Sequence, residues 1–324
     1  MRKTTAYPAD WQSAGQKAFL PPDAAQLPTV VAEPWVLLSK DLEHPGCEGP
    51  AFDRDGNLFV CKVAPAPAPE GSIVRVDRDR NIETFYKTGK SSPVGLAFHK
   101  DGRLFAVCLT GEILVIAPDG ALIRTIRPTI DGEAMRLNDL VFDFDGNLYF
   151  TDFRGPLTGP RGGVYRLDAE GDYTRLTPIL RGLSWANGIS LYEGTLWVGV
   201  GGMNAVVRIV LTPEGLASER SNSSNIIYRN TGAGFPDSNK IDSQGNLYQA
   251  IMHAGRMIIL NAKGIPVGNV LAPGCWEGRN LMSSNLAIRP GTDEGYMLSA
   301  GKQDGTGVFR FQAMARAQQL YSHG

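Results

Sequence analysis

DLVFDFDGNLYFTDF, residues 139–153, is an alternating apolar run that breaks at Asp145-Gly146-Asn147 and resumes as a second alternating run. A period of two sets alternate side chains on one face of a strand, and Asp-Gly between two such runs signals a tight hairpin. The turn expected is type I′, in which both central residues need positive φ. The pattern returns as GPAFDRDGNLFVCKV (49–63), GLAFHKDGRLFAVCL (95–109) and SNKIDSQGNLYQAIM (238–252). GISLYEGTLWVGVG (188–201) and NLAIRPGTDEGYMLSAG (285–301) are weaker copies. The six copies start 44 to 50 residues apart, which is the length of a propeller blade.

A third strand follows each hairpin: GSIVRVD (71–77), GEILVIA (111–117), GGVYRLD (162–168), AVVRIVL (205–211), GRMIILN (255–261) and GVFRFQA (307–313). Five units have room for a fourth strand, such as IETFYK (82–87), whereas the last ends in the short, non-strand-like tail AMARAQQLYSHG. AEPWVLLSK (32–40) is available to supply the missing strand and close the ring, removing the free sheet edges that invite aggregation. The expectation is an all-β, six-bladed propeller over residues 32–324 with residues 1–31 as an N-terminal extension. The two domains that 324 residues suggest by length alone give way to one ring.

Composition fits. There are 38 glycines and 21 prolines, above the usual shares of about 7% and 5%, as a turn-rich fold requires. The net charge of −1 comes with no basic block, so the electrostatic footprint of a nucleic-acid partner is missing. No run of 18 apolar residues occurs, and MRKTTAYPADWQSAG lacks the apolar core of a signal peptide, so no membrane partner and a cytoplasmic location are expected. Cys47, Cys61, Cys108 and Cys275 form no CxxC pair and read as reduced, buried thiols. Asn222-Ser223-Ser224 fits a glycosylation sequon that stays bare in a chain that is not secreted. Oligomeric state is not legible.

Aligning the copies on Asp53, His99, Asp143, Tyr192, Asp242 and Arg289 puts Glu48, Val94, Asn138, Asn187, Asp237 and Ser284 at one equivalent position, five residues earlier. Inner strands of a propeller start beside the central channel, so equivalent positions aim at one axis. Strand-start Asn, Asp and Ser also cap turns, but a register shared by four blades argues for a common role. Two carboxylates and two amides converging on an apolar-rich channel need a partner, and a hard cation supplies it. All-oxygen donors favour Ca²⁺, admit Mg²⁺ or Mn²⁺ and disfavour Zn²⁺. Four protein ligands leave coordination positions open for substrate. Ser238, one residue past the ring, is a further candidate oxygen ligand.

Other chemistry is weakly signalled. The turns at Asp53, Asp143 and Asp242 echo a calcium loop without its third acidic position, its Glu at position 12 or its helices. His44 and His253 lie near the expected channel mouth but read as structural or surface residues, like His99 and His323. No GxSxG elbow exists, and GVGGMN (199–204) leads into a strand, not a helix.

With these motifs the chain resembles the senescence-marker-protein, gluconolactonase and luciferin-regenerating-enzyme family, and within it the staphylococcal lactonase branch. The resemblance is carried by AEPWVLLSK (32–40), LVFDFDGNLYFTDFRG (140–155), GGVYRL (162–167), ANGISL (186–191), PDSNKIDSQGNLY (236–248) and PGCWEG (273–278). It implies that Glu48, Asn138, Asn187 and Asp237 hold one divalent metal, with Ser238 approaching it. It implies further that Asp237 is the catalytic carboxylate and that Arg136 and Asn138 meet the substrate. A Gly/Ser-rich insertion that builds a second calcium site in the staphylococcal branch is missing here, where LTGEILVIA (109–117) passes straight through. The function expected is metal-dependent opening of a small-molecule lactone to a hydroxy acid. Its alternatives are aryl-ester or organophosphate hydrolysis at the same metal, and a non-catalytic protein-binding propeller.

Overall fold

The six hairpins form, but the four built on Asp-Gly or Gln-Gly use a different turn, while Glu193-Gly194, both at positive φ, joins Tyr192 to Thr195 in the expected way. In the computed structural model, which describes residues 26–40, 46–63 and 71–323, only the glycine has positive φ in the three Asp-Gly hairpins, at Gly56, Gly102 and Gly146, and in the Gln-Gly copy, at Gly245. Gly56 N donates to Asp53 O at 3.2 Å, and Asp53 N donates to Asn57 O at 3.1 Å. This is a three-residue loop, a type I turn followed by a left-handed glycine, in place of the expected type I′ turn. The extra residue is tolerated because the leading aspartate locks the loop. Asp53 accepts both Asn57 N and Asn57 Nδ2 at 2.8 Å, and Asp143–Asn147 and Asp242–Asn246 repeat the arrangement. These carboxylates are therefore committed to turn closure, which disposes of the calcium-loop echo.

Six antiparallel sheets surround one axis. Blade 1 comprises Cys47–Phe52, Leu58–Lys62, Gly71–Val76 and Ile82–Gly89; blade 2 begins with Pro93–Phe98, blade 3 with Leu137–Phe142 and blade 4 with Ala186–Tyr192. Blade 5 begins with Phe235–Ile241, and its outer strand Pro266–Leu271 is joined in parallel by Thr29–Val31. Blade 6 consists of Asn285–Ile288, Glu294–Gly301, Gly305–Gln312 and, as expected, the N-terminal strand Glu33–Ser39, paired antiparallel to Gly305–Gln312. Residues 1–25, His44 and most of the loop at 62–72 lie outside the described residues. No helix among the described residues is long and apolar enough to cross a membrane.

Alternation explains why the blades stack. Each sheet has two apolar faces, and side chains from neighbouring blades meet between them, as Phe105, Val107 and Ile113 do with Phe142, Leu148 and Phe150. Each such fully buried side chain stabilises the fold by about 1.5–3 kcal/mol. All four cysteines are buried and unpaired, as expected, and burial pushes the Cys47 thiol up to about 12.

The C-terminal segment, read from sequence as a short tail that is not strand-like, crosses the end of the channel where the inner strands finish. It forms no strand, ending in a single 3-10 turn at Tyr321–His323. It nevertheless reaches every blade in turn. Ala317 N donates to Thr292 O in blade 6, Ser243 N of blade 5 to Arg316 O, and Gln318 Nε2 to Leu191 O of blade 4. Tyr321 then packs on Phe142 of blade 3 at 5.5 Å and on His99 of blade 2 at 4.9 Å, and Arg54 Nε of blade 1 donates to Ser322 O at 2.7 Å. Above it lies a mostly apolar cavity of about 90 Å³.

Candidate active site

At the opposite end the inner strands begin, and five of the six carry a register irregularity there. The shifts fall between Glu48 and Ala51, Pro93 and Gly95, Leu137 and Leu140, Ala186 and Ile189, and Pro236 and Asn239. A bulge re-aims side chains that a regular strand would send between the blades. The ring residues lie in or beside these bulges. Glu48, Val94, Asn138, Asn187, Asp237 and Ser284 all line one cavity of about 210 Å³.

Two features support the bulges. The residue after the ring position presses on the next blade, and in three blades it is glycine. A Cβ on Gly95 would come within 2.6 Å of Asn138 O, and one on Gly188 within 2.5 Å of Asn239 N. Polar side chains on the second strands then take up backbone groups that the ladder leaves unpaired. Gln249 Nε2 donates to Asp237 O at 2.8 Å and Ser238 O at 3.2 Å, while Thr151 Oγ donates to Asn187 O at 2.6 Å and accepts Asp139 N at 3.0 Å. Ser238 is 1% exposed, and its hydroxyl donates to Asn187 Oδ1 at 3.4 Å, which places it behind a ring ligand candidate.

The electrostatics are lopsided. Among the described residues neither Glu48 nor Asp237 forms an ion pair. Glu48 accepts a 3.4 Å hydrogen bond from Asn285 Nδ2. Burial first, and then the neighbouring Asp237 and Asp139 carboxylates, hold Glu48 well above the ordinary carboxylate range. Burial likewise raises Asp237, opposed by a hydrogen bond from Asn187. Two buried acids crowded together without a cation are costly, and a divalent ion between them removes both causes. The ring offers two carboxylates and two carboxamides; no group of three or more His, Cys, Asp or Glu side chains placed to hold a metal ion occurs among the described residues. Its donors fit a hard cation.

One residue deeper, Asp139 is fully buried and does have a cation: Lys240 Nζ lies 3.0 Å from Oδ2 and 3.4 Å from Oδ1. Burial raises the Asp139 carboxyl and the lysine pulls it back down.

The mouth was only partly legible. Arg136 is exposed and stands outside the cavity lining, but its guanidinium lies 5.4 Å over the ring of Phe153, which does line it. Phe153 stacks on Trp185 at 5.8 Å, Trp185 contacts Phe235 at 6.1 Å, and Phe235 meets His253 edge-on at 5.7 Å. The opposite wall is aliphatic, from Val63, Leu109, Met282 and Ala300. A signal for this rim existed: Arg136, Trp185, Phe235 and Met282 each precede a ring residue by two positions, the strand period. Of the histidines, His99 is buried at the far end with Nε2 3.3 Å from Tyr321 Oη, and His253 reaches the mouth only through Phe235.

Comparison with known proteins gives a consistent result. The profile of the SMP-30/Gluconolactonase/LRE-like region matches residues 47–277. The lactonase drp35 of Staphylococcus saprophyticus is 38% identical over 314 residues, covering 94% of each chain. Regucalcin of Agrobacterium tumefaciens, described as a calcium-binding protein, superposes with a TM-score of 0.71 at 17% identity, covering 91% of this chain and 99% of that one. A gluconolactonase of Xanthomonas campestris superposes with a TM-score of 0.67 at 18% identity, covering 85% and 89%. The structural likenesses show the fold.

Proposed function

Because the chain belongs to the SMP-30/gluconolactonase/LRE-like family, we propose that it is a lactone hydrolase dependent on a divalent cation, with Ca²⁺ the favoured ion. The observation that carries this reading is the convergence of Glu48, Asn138, Asn187 and Asp237 on one cavity, with no cationic side chain among the described residues paired to either acid. The lactonase name of the 38% identical relative supports the reaction class. Glu48, Asn138, Asn187 and Asp237 would hold the cation, and Ser238 would orient Asn187. Bound there, a divalent cation supplies Lewis-acid polarisation of the lactone carbonyl.

The residues around it do the rest. Asp237 accepts a proton from the attacking water as the water oxygen bonds to the acyl carbon, and returns it to the ring oxygen as the acyl–oxygen bond breaks. Its value lies in placement, since Gln249 fixes its backbone. Asn138 and Arg136 meet the substrate at the mouth, and the Arg136 guanidinium attracts the carboxylate of the hydroxy-acid product. The Phe153–Trp185–Phe235 wall favours, as a second reading, an aryl ester hydrolysed at the same site. A protein-binding scaffold is disfavoured, because its channel would have no use for two unpaired buried acids.

The test is a panel of sugar lactones, aryl-fused lactones and aryl esters, given to metal-stripped, Ca²⁺-restored and Asp237→Asn protein. Loss on stripping, recovery with Ca²⁺ and loss in the variant are expected. Undiminished lactone hydrolysis after chelation overturns the metal assignment, and in the Asn variant it overturns the role of Asp237.

A further inference from the structure

We propose that Lys240 is an internal counter-ion which sets the charge of the channel so that a single divalent cation neutralises it. The inference rests on the reading that Glu48, Asn138, Asn187 and Asp237 hold such a cation. Lys240 lies three residues beyond Asp237 on the inner strand of blade 5, and Asp139 follows Asn138 on that of blade 3. The pair therefore links two blades that are not neighbours in the ring, passing beneath blade 4 and its Asn187. Asp139 is fully buried, Lys240 Nζ contacts both of its oxygens at 3.0 and 3.4 Å, and Leu140 N donates to Oδ1 at 2.9 Å. The lysine also lines the small cavity above the C-terminal segment, so it stands in the channel itself.

Three carboxylates, those of Glu48, Asp237 and Asp139, thus share the channel with one ammonium, and the sum is the −2 that one divalent ion balances. A buried ion pair that served stability alone would contribute little over an apolar replacement. A counter-ion acts differently. Its removal, or that of its partner, changes the potential felt by a cation in the ring, in opposite directions and without touching a ligand. Unit charges in a weakly screened interior act strongly, and the Asp139 carboxylate acts on both Glu48 and Asp237.

The experiment is calorimetric titration of chelator-stripped protein with Ca²⁺, alongside circular dichroism melts to confirm folding. Lys240→Met, leaving three acids, is expected to tighten Ca²⁺ binding at least tenfold. Asp139→Asn, leaving an uncompensated ammonium, is expected to weaken it at least tenfold. The double variant, charge-matched to wild type, and Lys240→Arg should both stay within about threefold of wild type. Where a single variant does not fold, the double variant and Lys240→Arg are compared with Lys240→Gln, which is expected to bind at least tenfold tighter than either. Folded variants whose affinities stay together, or shift in the same direction, overturn the inference while leaving the cation site intact. A wild-type protein that binds no divalent cation overturns the site reading, and this inference with it.

Discussion

The two ends of the channel are built from the same six strands, yet they are finished in opposite ways. Where the inner strands begin, bulges turn polar side chains inward, and two acids have no cationic partner among the described residues. Where they end, the walls are apolar and the C-terminal segment seals them with Tyr321 and Ser322, 7% and 4% exposed. One end gathers two buried acids that no cation among the described residues pairs with, and the other is closed over a small, mostly apolar cavity. Strain tolerated at one end and stability concentrated at the other is the division expected of an enzyme.

That contrast can be broken by mutation. Asp237→Asn should lower kcat on the best lactone by on the order of 10²–10⁴-fold, while the metal-stripped variant melts no lower than wild type. A melt several degrees lower would show that Asp237 serves packing and would erase the distinction between the ends. Tyr321→Ala should do the reverse. Removing a buried ring that packs on His99 and Phe142 costs about 3 kcal/mol in a denaturant titration, with kcat/KM per folded molecule unchanged.

Ca²⁺ at about a hundred times its Kd should add about 2.7 kcal/mol to stability. The gain should be absent in a Glu48→Gln/Asp237→Asn protein, and a gain that persists there would move the ion elsewhere. The smallest effect belongs to pH at the sealed end. Burial holds the His99 imidazole below its ordinary value, partly offset by Asp101, with Arg103 and Lys100 lowering it further. The unfolded chain therefore binds the proton more readily. Stability from neutral His99 is complete above pH 6.5 and declines as pH falls from there towards the folded value. In His99→Gln, melts between pH 7.5 and 5.5 should lose that component of the slope, and an unchanged slope assigns it to other groups.

What was legible follows from what repeats. Six hairpins, three of them built on Asp-Gly, set the blades, and the register they impose brings Glu48, Asn138, Asn187 and Asp237 to one position, without a glimpse of their contacts. At the Asp-Gly and Gln-Gly copies the turn type was misjudged because the lock depends on pairs such as Asp53 and Asn57 acting together, not on two central residues of positive φ. The bulges were invisible because they are a property of pairing; their only trace is glycine after the ring residue in blades 1, 2 and 4. Thr29–Val31 and the C-terminal segment escaped because neither belongs to a repeat, and each finds its place only once the ring exists. Lys240 gave no signal either, since its partner is 101 residues away.

The strand Glu33–Ser39 completes blade 6 by pairing with Gly305–Gln312, at the other end of the chain. During synthesis it must therefore wait until all five intervening blades have been made before it can find its neighbour. Blades 1 to 5 can assemble locally in the meantime, but the ring itself is a contact of very high sequence separation, the kind that folds slowly. A channel that depends on six converging strands cannot bind its ligand until that last pairing is made, so emergence of activity during refolding should report ring closure and lag behind formation of the sheets.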